Sequence, residues 1–188
     1  MNTTKRYSME LRAAAAEATR ERILDAAGDA FLERWYDDVT LAEIAKQAGV
    51  SGQTVINHFG GKEQLAAAAH ERLSAQIVSR RYTPEPGDLP ALIEALVEDY
   101  ETTGDSIVRL LALEEKMPSI QPLLAKGREG HRRWLTERFA AGELLPELVV
   151  ATDVYTWKLL RRDQGLSRKK TAASMRRLIQ GILERRTR

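Results

Sequence analysis

The sequence contains no cysteine and no long apolar stretch, and each absence excludes a class of protein. Without cysteine there is no disulfide framework and no thiolate metal site, which fits a reducing cytosol. No run of apolar residues is long enough to span a membrane, and the polar, basic residues 1–12 are not followed by the apolar core of a signal segment. We therefore expect a cytoplasmic protein that does not bind membranes.

Positive charge is scarce in the first third of the chain. Residues 1–63 hold 8 Lys and Arg against 10 Asp and Glu, residues 64–157 hold 10 against 15, and residues 158–188 hold 11 against 2. The net charge of +2 therefore comes from the C-terminal segment. Nucleic-acid binding by the first third would depend on a few local donors, namely Lys46, Lys62 and the N-terminal residues Lys5, Arg6 and Arg12.

Patterns typical of catalysis and of metal binding are also missing. The histidines His58, His70 and His131 are far apart in the sequence, and none has a carboxylate at the spacing that places two ligands on one helix face. There is no phosphate-binding loop, no glycine-rich dinucleotide turn and no Gly-x-Ser-x-Gly elbow. We expect no metal, no cofactor and no catalysis. An enzyme with its site in the second half is a weaker alternative, which turnover would reveal.

Residues 40–59, TLAEIAKQAGVSGQTVINHF, have the spacing of two short helices joined by a tight turn. Thr40 and Glu43 have capping-box spacing, which predicts that the first helix begins at Thr40. Gly49 falls where the chain must turn with a positive φ, and Ser51 is placed to cap the second helix. The predicted inward positions are Leu41, Ile44, Ala45, Val50, Val55 and Phe59, and the outward ones are Gly52, Gln53, Ile56 and Asn57.

This spacing fits either a DNA-reading helix-turn-helix or an ordinary helical hairpin, and the flanking sequence separates the two. The stretch RILDAAGDAFLERWYDDVTLAEIAKQAGVSGQTVINHFGGKEQL resembles the N-terminal domain of the tetracycline-repressor (TetR) family of transcriptional regulators, over about residues 19–69. The resemblance is specific as a set. Its parts are an amphipathic first helix with Ile23, Leu24, Ala27 and Phe31, the aromatic Tyr36, the Thr40 start, the run Ala48-Gly49-Val50-Ser51, Thr54, the pair His58-Phe59, and Lys62.

The resemblance implies DNA contacts from both helices. Amide side chains pair with adenine, and the first turn of a recognition helix enters the major groove, so we expect Gln53 to read bases and Asn57 to assist. The full expected set is Thr40, Ser51, Gly52, Gln53, Thr54, Ile56, Asn57, His58 and Lys62, with Gly52 allowing close approach and Thr40, Thr54, His58 and Lys62 contacting the DNA backbone.

Two residues depart from the family pattern. Trp35 stands where the family usually has glycine, and Ile56 stands where it usually has a tyrosine that touches the DNA backbone. Because Ile56 cannot donate a hydrogen bond, backbone contacts would be fewer or would shift to Asn57. Ile56 would then lie either against a thymine methyl group or folded back on its own domain.

The N-terminal residues 1–11 resemble a mobile polar arm, which we expect to be disordered in the free protein, although Lys5 and Arg6 would suit a minor groove. After the helix-turn-helix, Gly60-Gly61 leads into a helix from Lys62 to about Arg81 with an apolar stripe. Residues 82–89 contain Pro84, Pro86 and Gly87 and form the best domain boundary. The expected domains are therefore residues 1–81 and 82–188.

The second domain shows helical periodicity throughout, so we predict an all-α protein. Apolar faces recur at residues 89–100, again at 107–117 after Gly104, and at 120–139, which predicts three packed helices. A helix from Pro146 to Gln164 is apolar nearly all round, and a last helix runs from Ser167 to about Arg186. As in the family, we expect these last two helices to form a homodimer, although a domain core that covers both sides of the first is the alternative.

Large aromatic residues and two polar residues on apolar stripes suggest a ligand pocket. The expected lining residues are Tyr100, Leu111, Glu114, His131, Trp134 and Trp157, with Glu114 favouring a cationic or donor-bearing guest. The alternative is an ordinary core whose polar groups are satisfied by their neighbours.

The family resemblance implies a regulator that binds palindromic operator DNA as a homodimer and is a repressor released by a small-molecule effector. The alternative from another class is a helical interaction module whose basic C-terminal helix docks on an acidic partner or a membrane surface.

Overall fold

The computed structural model describes residues 3–187, and every regular element in that range is helical, as predicted. The chain divides into two compact units, Met1–Leu73 and Ser74–Arg188. The division falls inside one long helix, so the domain boundary at residues 82–89 stays a prediction. The helices are α1 (Thr3–Glu33), α2 (Leu41–Ala48), α3 (Gly52–Phe59), α4 (Lys62–Arg81), α5 (Leu89–Leu111), α6 (Gln121–Phe139), α7 (Leu145–Thr152), α8 (Val154–Lys158) and α9 (Arg168–Leu183).

The helix-turn-helix forms through the predicted local bonds. Thr40 caps α2 with a complete capping box, in which the Glu43 N–H donates to Thr40 Oγ1 and the Thr40 N–H donates to Glu43 Oε2. Gly49 ends α2 with φ 69°, and the Ser51 hydroxyl accepts from the Thr54 N–H at the start of α3. These predictions are confirmed, as are the limits of α4. The core of this unit contains Ile23, Leu24, Ala27, Phe31, Val39, Ile44, Ala45, Ala48, Val55, Leu65 and Ala69.

The prediction of a disordered arm is wrong for the described part of residues 1–11. Helix α1 begins at Thr3 and continues without a break to Glu33. The alanines at positions 13–16 and the surrounding charged residues are good helix formers, so nothing in the local sequence stops the helix earlier. Met1 and Asn2 lie outside the described residues.

Helix α5 runs through Gly104, where the periodicity had suggested a break between two helices. The glycine is buried, and a Cβ built on it would lie 2.7 Å and 2.8 Å from ring atoms of Trp157. Gly104 therefore makes room for an indole ring instead of ending a helix. The three helices expected between residues 89 and 139 are two, α5 and α6, separated by turns.

The expected helix from Pro146 to Gln164 is broken at Asp153. Its carboxylate accepts from the Tyr155 N–H at 2.8 Å and caps α8, while its backbone is extended, with ψ 151°. Helix α8 then passes into a π-helical turn, Leu159–Asp163. Asp153 acts here as a helix start, because its short side chain competes for backbone donors. Ser167 caps α9 as expected.

Helix α5 packs against α8 and α9, and α7 packs against α6 and α9, around one apolar core. That core contains Leu92, Ile93, Leu96, Val97, Tyr100, Trp134, Leu135, Phe139, Leu148, Ala151, Val154, Trp157, Ala172, Met175 and Ile179. No helix among the described residues is long and apolar enough to cross a membrane.

Candidate nucleic-acid interface

Helix α3 presents a polar face to solvent while its other side is held in the core. Val55 is fully buried and Val50 and Phe59 pack against the same core. Gln53 and Asn57 are exposed on the outward side. The structure therefore places the predicted inward and outward residues of α3 on the expected sides.

Gly52, at the first position of α3, has no packing reason to be a glycine within the described chain. A Cβ built there meets no atom within 4 Å beyond its own stretch of helix, and the residue does not have a positive φ. A glycine at a helical position costs about 0.5–1 kcal/mol relative to alanine. The absence of a side chain at Gly52 therefore costs a little stability. It also leaves the backbone open to close approach by another molecule.

The exposed amides of α3 are joined to each other. Gln53 Nε2 donates to Asn57 Oδ1 at 3.0 Å, across one helical turn. Such a pair on a helix surface contributes only about 0.2–0.5 kcal/mol to helix stability. Its larger effect is on orientation, because each amide restricts the rotation of the other.

Three of the residues expected to contact the DNA backbone have partners close to them in the sequence. Thr54 Oγ1 lies 2.9 Å from Ser51 Oγ, so the two hydroxyls share a hydrogen bond at the start of α3. Thr40 is exposed, but its hydroxyl donates to Glu43 Oε2 at 2.8 Å. His58 is half-buried beside Phe59, with ring centroids 6.3 Å apart.

The Thr40 hydroxyl stabilises a negative charge at the start of α2. Its hydrogen bond, the Thr40 N–H and the Arg34 guanidinium together lower the pKa of Glu43 to about 2. Arg34 Nη1 donates to the same carboxylate at 3.2 Å. A phosphate that approached Thr40 would therefore compete with Glu43 for the hydroxyl.

Lys62 is held at the start of α4 by an aromatic stack that the sequence did not reveal. Its Nζ lies 4.2 Å from the centre of the Tyr36 ring, and Tyr36 stacks on Phe31 with centroids 5.9 Å apart. A cation over an aromatic face is stabilised by the ring quadrupole. Tyr36 thus positions the Lys62 ammonium, a role that no spacing within the sequence indicates.

The two departures from the family pattern have simple structural outcomes. Trp35 has φ −63° and ψ 147°, an extended conformation that any residue adopts, so glycine is not required there. Ile56 is 42% exposed, which argues against the alternative that it folds back on its own domain.

In the second unit the expected ligand residues fall into two groups. Tyr100, Trp134 and Trp157 are core residues and Leu111 packs against the same core, while the half-buried His131 stacks on Trp134 at 5.7 Å. Glu114 lies apart, in the turns after α5, and its carboxylate forms a bidentate ion pair with Arg128. The prediction that Glu114 continues the helical stripe of Leu111 is therefore wrong, because α5 ends at Leu111.

The aromatic residues of this group have their polar atoms satisfied internally. The Tyr100 hydroxyl donates to the Thr152 carbonyl at 2.9 Å, Trp134 Nε1 donates to the Arg81 carbonyl at 3.0 Å, and Trp157 Nε1 donates to Glu101 at 3.1 Å. These contacts match the alternative of an ordinary core. A guest entering here would have to replace some of these hydrogen bonds with its own.

A buried ion pair anchors the end of α4 within the second unit. Asp99 is fully buried and accepts from Arg80 Nε and Arg81 Nε, both at 2.8 Å. Arg81 Nη1 lies 3.1 Å from His131 Nδ1, and His131 Nε2 lies 2.8 Å from Thr152 Oγ1. Because arginine can only donate, His131 accepts at Nδ1 and carries its proton on Nε2. Burial, followed by the Arg81 charge, lowers the pKa of His131 to about 3.

With the geometry of both units described, comparison with known proteins identifies the type of the helix-turn-helix domain. The model of "Bacterial regulatory proteins, tetR family" matches residues 23–69, which span the core of α1, the helix-turn-helix and the start of α4. Residues 23–69 are therefore a DNA-binding domain of the TetR type.

Curated relatives of the chain are transcriptional regulators by name. It is 28% identical over 110 residues to the HTH-type transcriptional regulator AlkX of Mycobacterium tuberculosis, covering 56% of this chain and 52% of AlkX. It is 27% identical over 136 residues to the HTH-type transcriptional repressor Rv3405c of the same species, covering 69% of each. The chain thus spans about half the length of AlkX.

Solved structures share the fold of the chain over most of its length. A TetR-family regulator from Streptomyces coelicolor superposes with a TM-score of 0.73 at 22% identity, covering 88% of this chain and 79% of the other. The multidrug binding protein EbrR, complexed with imidazole, gives a TM-score of 0.60 at 22% identity, covering 85% and 88%. At this identity the likeness establishes the fold alone.

The basic C-terminal segment, residues 158–188, forms ion pairs with α5. Arg161 pairs with Glu101 at 2.9 Å, Arg162 with Asp105 at 2.9 Å, and Arg168 with Glu98 at 2.6 Å. These acidic residues lie along one face of α5 at helical spacing. Three of the eleven basic residues in 158–188 therefore serve to join helices, and Arg168 is the one of these three that lies on α9.

Proposed function

We propose that the chain is a cytoplasmic transcriptional repressor that binds a palindromic operator in double-stranded DNA as a homodimer and is released by a small-molecule effector. The observation that carries the proposal is the exposed first turn of α3, where Gly52 is bare without a packing reason and Gln53 points outward. A recognition helix needs such a turn, because its N-terminal residues meet base edges in the major groove. No catalytic step is part of the proposal.

The proposal is tested by measuring binding to duplex DNA selected from a random library, over a series of salt concentrations. Gln53→Ala should cost about 1–3 kcal/mol and relax the preference at one base pair. Lys62→Ala should weaken binding to every sequence and flatten the salt slope by about 0.9, because one phosphate contact is lost.

Two control variants make this test specific. Gln76→Ala makes the same chemical change at an exposed position of α4 outside the helix-turn-helix, and should leave base preference unchanged. Lys169→Ala removes an exposed charge from α9 and should leave the salt slope unchanged. If Lys169→Ala weakened binding as much as Lys62→Ala, the interaction module with a basic docking helix would be the better description.

Dimerisation is supported by exposed apolar side chains on the last helices. Val150 on α7, Tyr155 on α8, Leu159 in the π-helical turn and Leu178 on α9 are 67%, 46%, 54% and 50% exposed. A second copy of the chain would cover this surface. A dimer also supplies the two helix-turn-helix units that a palindromic operator needs, since its half-sites lie roughly 34 Å apart.

Sedimentation velocity at micromolar concentration without DNA tests the dimer. Leu159→Glu should give a monomer, whereas Leu159→Met keeps the apolar surface and should leave the dimer intact. A wild-type monomer under these conditions would contradict the proposed assembly.

Effector release is proposed through the residues around Tyr100, His131, Trp134 and Trp157, with Leu111 at the same core. EbrR, which shares the fold, is described as a multidrug binding protein. The end of α4 is bonded to this region through Arg81, and α4 begins in the helix-turn-helix unit. A guest that favours a different α4 position would change operator affinity, by about tenfold for each 1.4 kcal/mol of preference.

A thermal-shift screen followed by titration of a hit against the protein–operator complex tests this step. Glu114→Gln separates a guest that needs the Glu114 carboxylate from one that binds only the aromatic cluster. A hit that binds tightly and leaves operator affinity unchanged would contradict effector release while leaving DNA binding intact.

A further inference from the structure

The hydrogen bond between Gln53 and Asn57 restricts what each amide can offer to a partner. Gln53 Nε2 donates to Asn57 Oδ1 at 3.0 Å, and both side chains are exposed. One Gln53 N–H and the Asn57 oxygen are therefore engaged. Gln53 keeps its Oε1 acceptor and its second N–H donor, while Asn57 keeps two N–H donors on Nδ2.

These remaining groups match different base edges. An acceptor beside a donor is the complement of adenine, which presents the N6 donor and the N7 acceptor in the major groove. Two donors are the complement of a base that presents an acceptor, such as O4 of thymine or O6 and N7 of guanine. The neighbouring Ile56 is 42% exposed and adds an apolar contact that suits the thymine methyl group.

We infer that Gln53 and Asn57 act as one specificity-determining unit, an amide clasp, which reads adenine and an adjacent thymine on neighbouring base pairs. The inference rests on the proposed DNA-binding function and deepens it. The clasp holds Gln53 in the orientation that adenine needs before DNA arrives, so less side-chain freedom is lost on binding.

Asn57→Ala and Asn57→Asp separate a clasp from two independent readers. Asn57→Ala removes the acceptor that orients Gln53, so discrimination for adenine at the Gln53 position should fall about twofold although Gln53 itself is intact. Asn57→Asp keeps an oxygen that accepts from Gln53, so the adenine preference should persist. At its own base pair the introduced carboxylate should favour a donor base such as cytosine.

Affinities are measured for operators substituted one base pair at a time. For each protein variant, the affinity for the unsubstituted operator is divided by the affinity for each substituted operator. The ratios cancel the uniform loss that an added negative charge causes near DNA. Thermal unfolding should be nearly unchanged, since both residues are exposed. In the double variant Gln53→Ala/Asn57→Ala, the loss of discrimination should be smaller than the product of the two single losses.

The two possible failures are distinguishable. If Asn57→Ala changed the preference only at its own base pair and the double variant gave the full product, the clasp would be overturned while DNA reading stood. If the wild-type chain bound all duplexes equally, the proposed function would fail, and the clasp with it.

Discussion

In the unit Met1–Leu73 the amides of Gln53 and Asn57 face solvent, whereas in Ser74–Arg188 the polar groups of Asp99 and His131 are enclosed and bonded to the protein. All four residues lie on helices, and their hydrogen bonds are near 3 Å long. They differ in surroundings, because water can replace any bond of an exposed amide but not those of a buried carboxylate.

Exposed polar residues and buried polar residues contribute differently to stability. Exposed amides contribute little to stability and are available to a partner. Buried ionic groups contribute to stability only while their partners remain, and removing one partner leaves an uncompensated charge. Substituting Gln53 or Asn57 should therefore change binding, whereas substituting Asp99 should change folding.

The largest effect is expected for Asp99→Ala. It leaves the buried guanidinium of Arg81 without its carboxylate, which should lower the free energy of unfolding by about 3–5 kcal/mol. Asp105→Ala on the same helix removes an exposed pair with Arg162 and should cost about 0–1 kcal/mol. Urea unfolding measures both, and equal losses would contradict the distinction between buried and exposed charges.

Gly104→Ala should lower the free energy of unfolding by about 1–3 kcal/mol, because the added methyl group overlaps the Trp157 ring. The control is Gly130→Ala in α6, where the methyl group meets open space within the described chain. That variant should be more stable by about 0.5–1 kcal/mol, through helix propensity alone. The opposite signs can be measured by thermal unfolding, and a neutral Gly104→Ala would show that the indole can move aside.

The pH dependence of stability should report His131. Its pKa is about 3 in the folded chain against an ordinary 6.5, so between these values the unfolded chain binds a proton that the folded chain does not. Stability is therefore lost as the pH falls through this window, by about 1.4 kcal/mol per pH unit for one group. Burial also lowers the pKa of His70, which adds a loss of the same sign.

His131→Gln keeps an acceptor for Arg81 and a donor for Thr152 but does not titrate. Urea unfolding between pH 7.5 and 5 should therefore show a shallower slope for this variant. The carboxylates with lowered pKa, such as Glu43, titrate mostly below that range. An unchanged slope would contradict the assignment of His131 as a neutral acceptor for Arg81.

The smallest change in stability is expected for Gly52→Ala, and its interest lies in the contrast with binding. Stability should stay the same or rise by up to about 1 kcal/mol, because the methyl group meets no other part of the described chain. Operator affinity should fall about tenfold if DNA approaches this backbone closely. Gly127→Ala in α6 also points into open space and should leave affinity unchanged.

Local spacing predicted the helix-turn-helix well. The cap at Thr40, the positive φ at Gly49, the cap at Ser51 and the limits of α4 each depend on residues within one or two turns of each other. The outward direction of Gln53 followed from helical periodicity for the same reason. The roles of these residues toward DNA stay predictions, since they depend on a partner.

The second unit was predicted less well, because its details depend on distant residues. Gly104 looked like a helix end until the position of Trp157 gave it a packing role. Glu114 looked like a pocket residue until α5 ended before it and Arg128 paired with it. Asp153 interrupts the helix that apolar periodicity predicted to be continuous from Pro146 to Gln164.

The sequence by itself determined the helical class and the helix-turn-helix, because capping and periodicity act over a few residues and can be read along the chain. Only the tertiary structure decided which polar residues are enclosed. Asp99 reaches Arg81 across 18 positions, and His131 reaches Arg81 across 50. Whether such groups meet depends on how helices pack, and the free energy of a buried charge depends on that meeting.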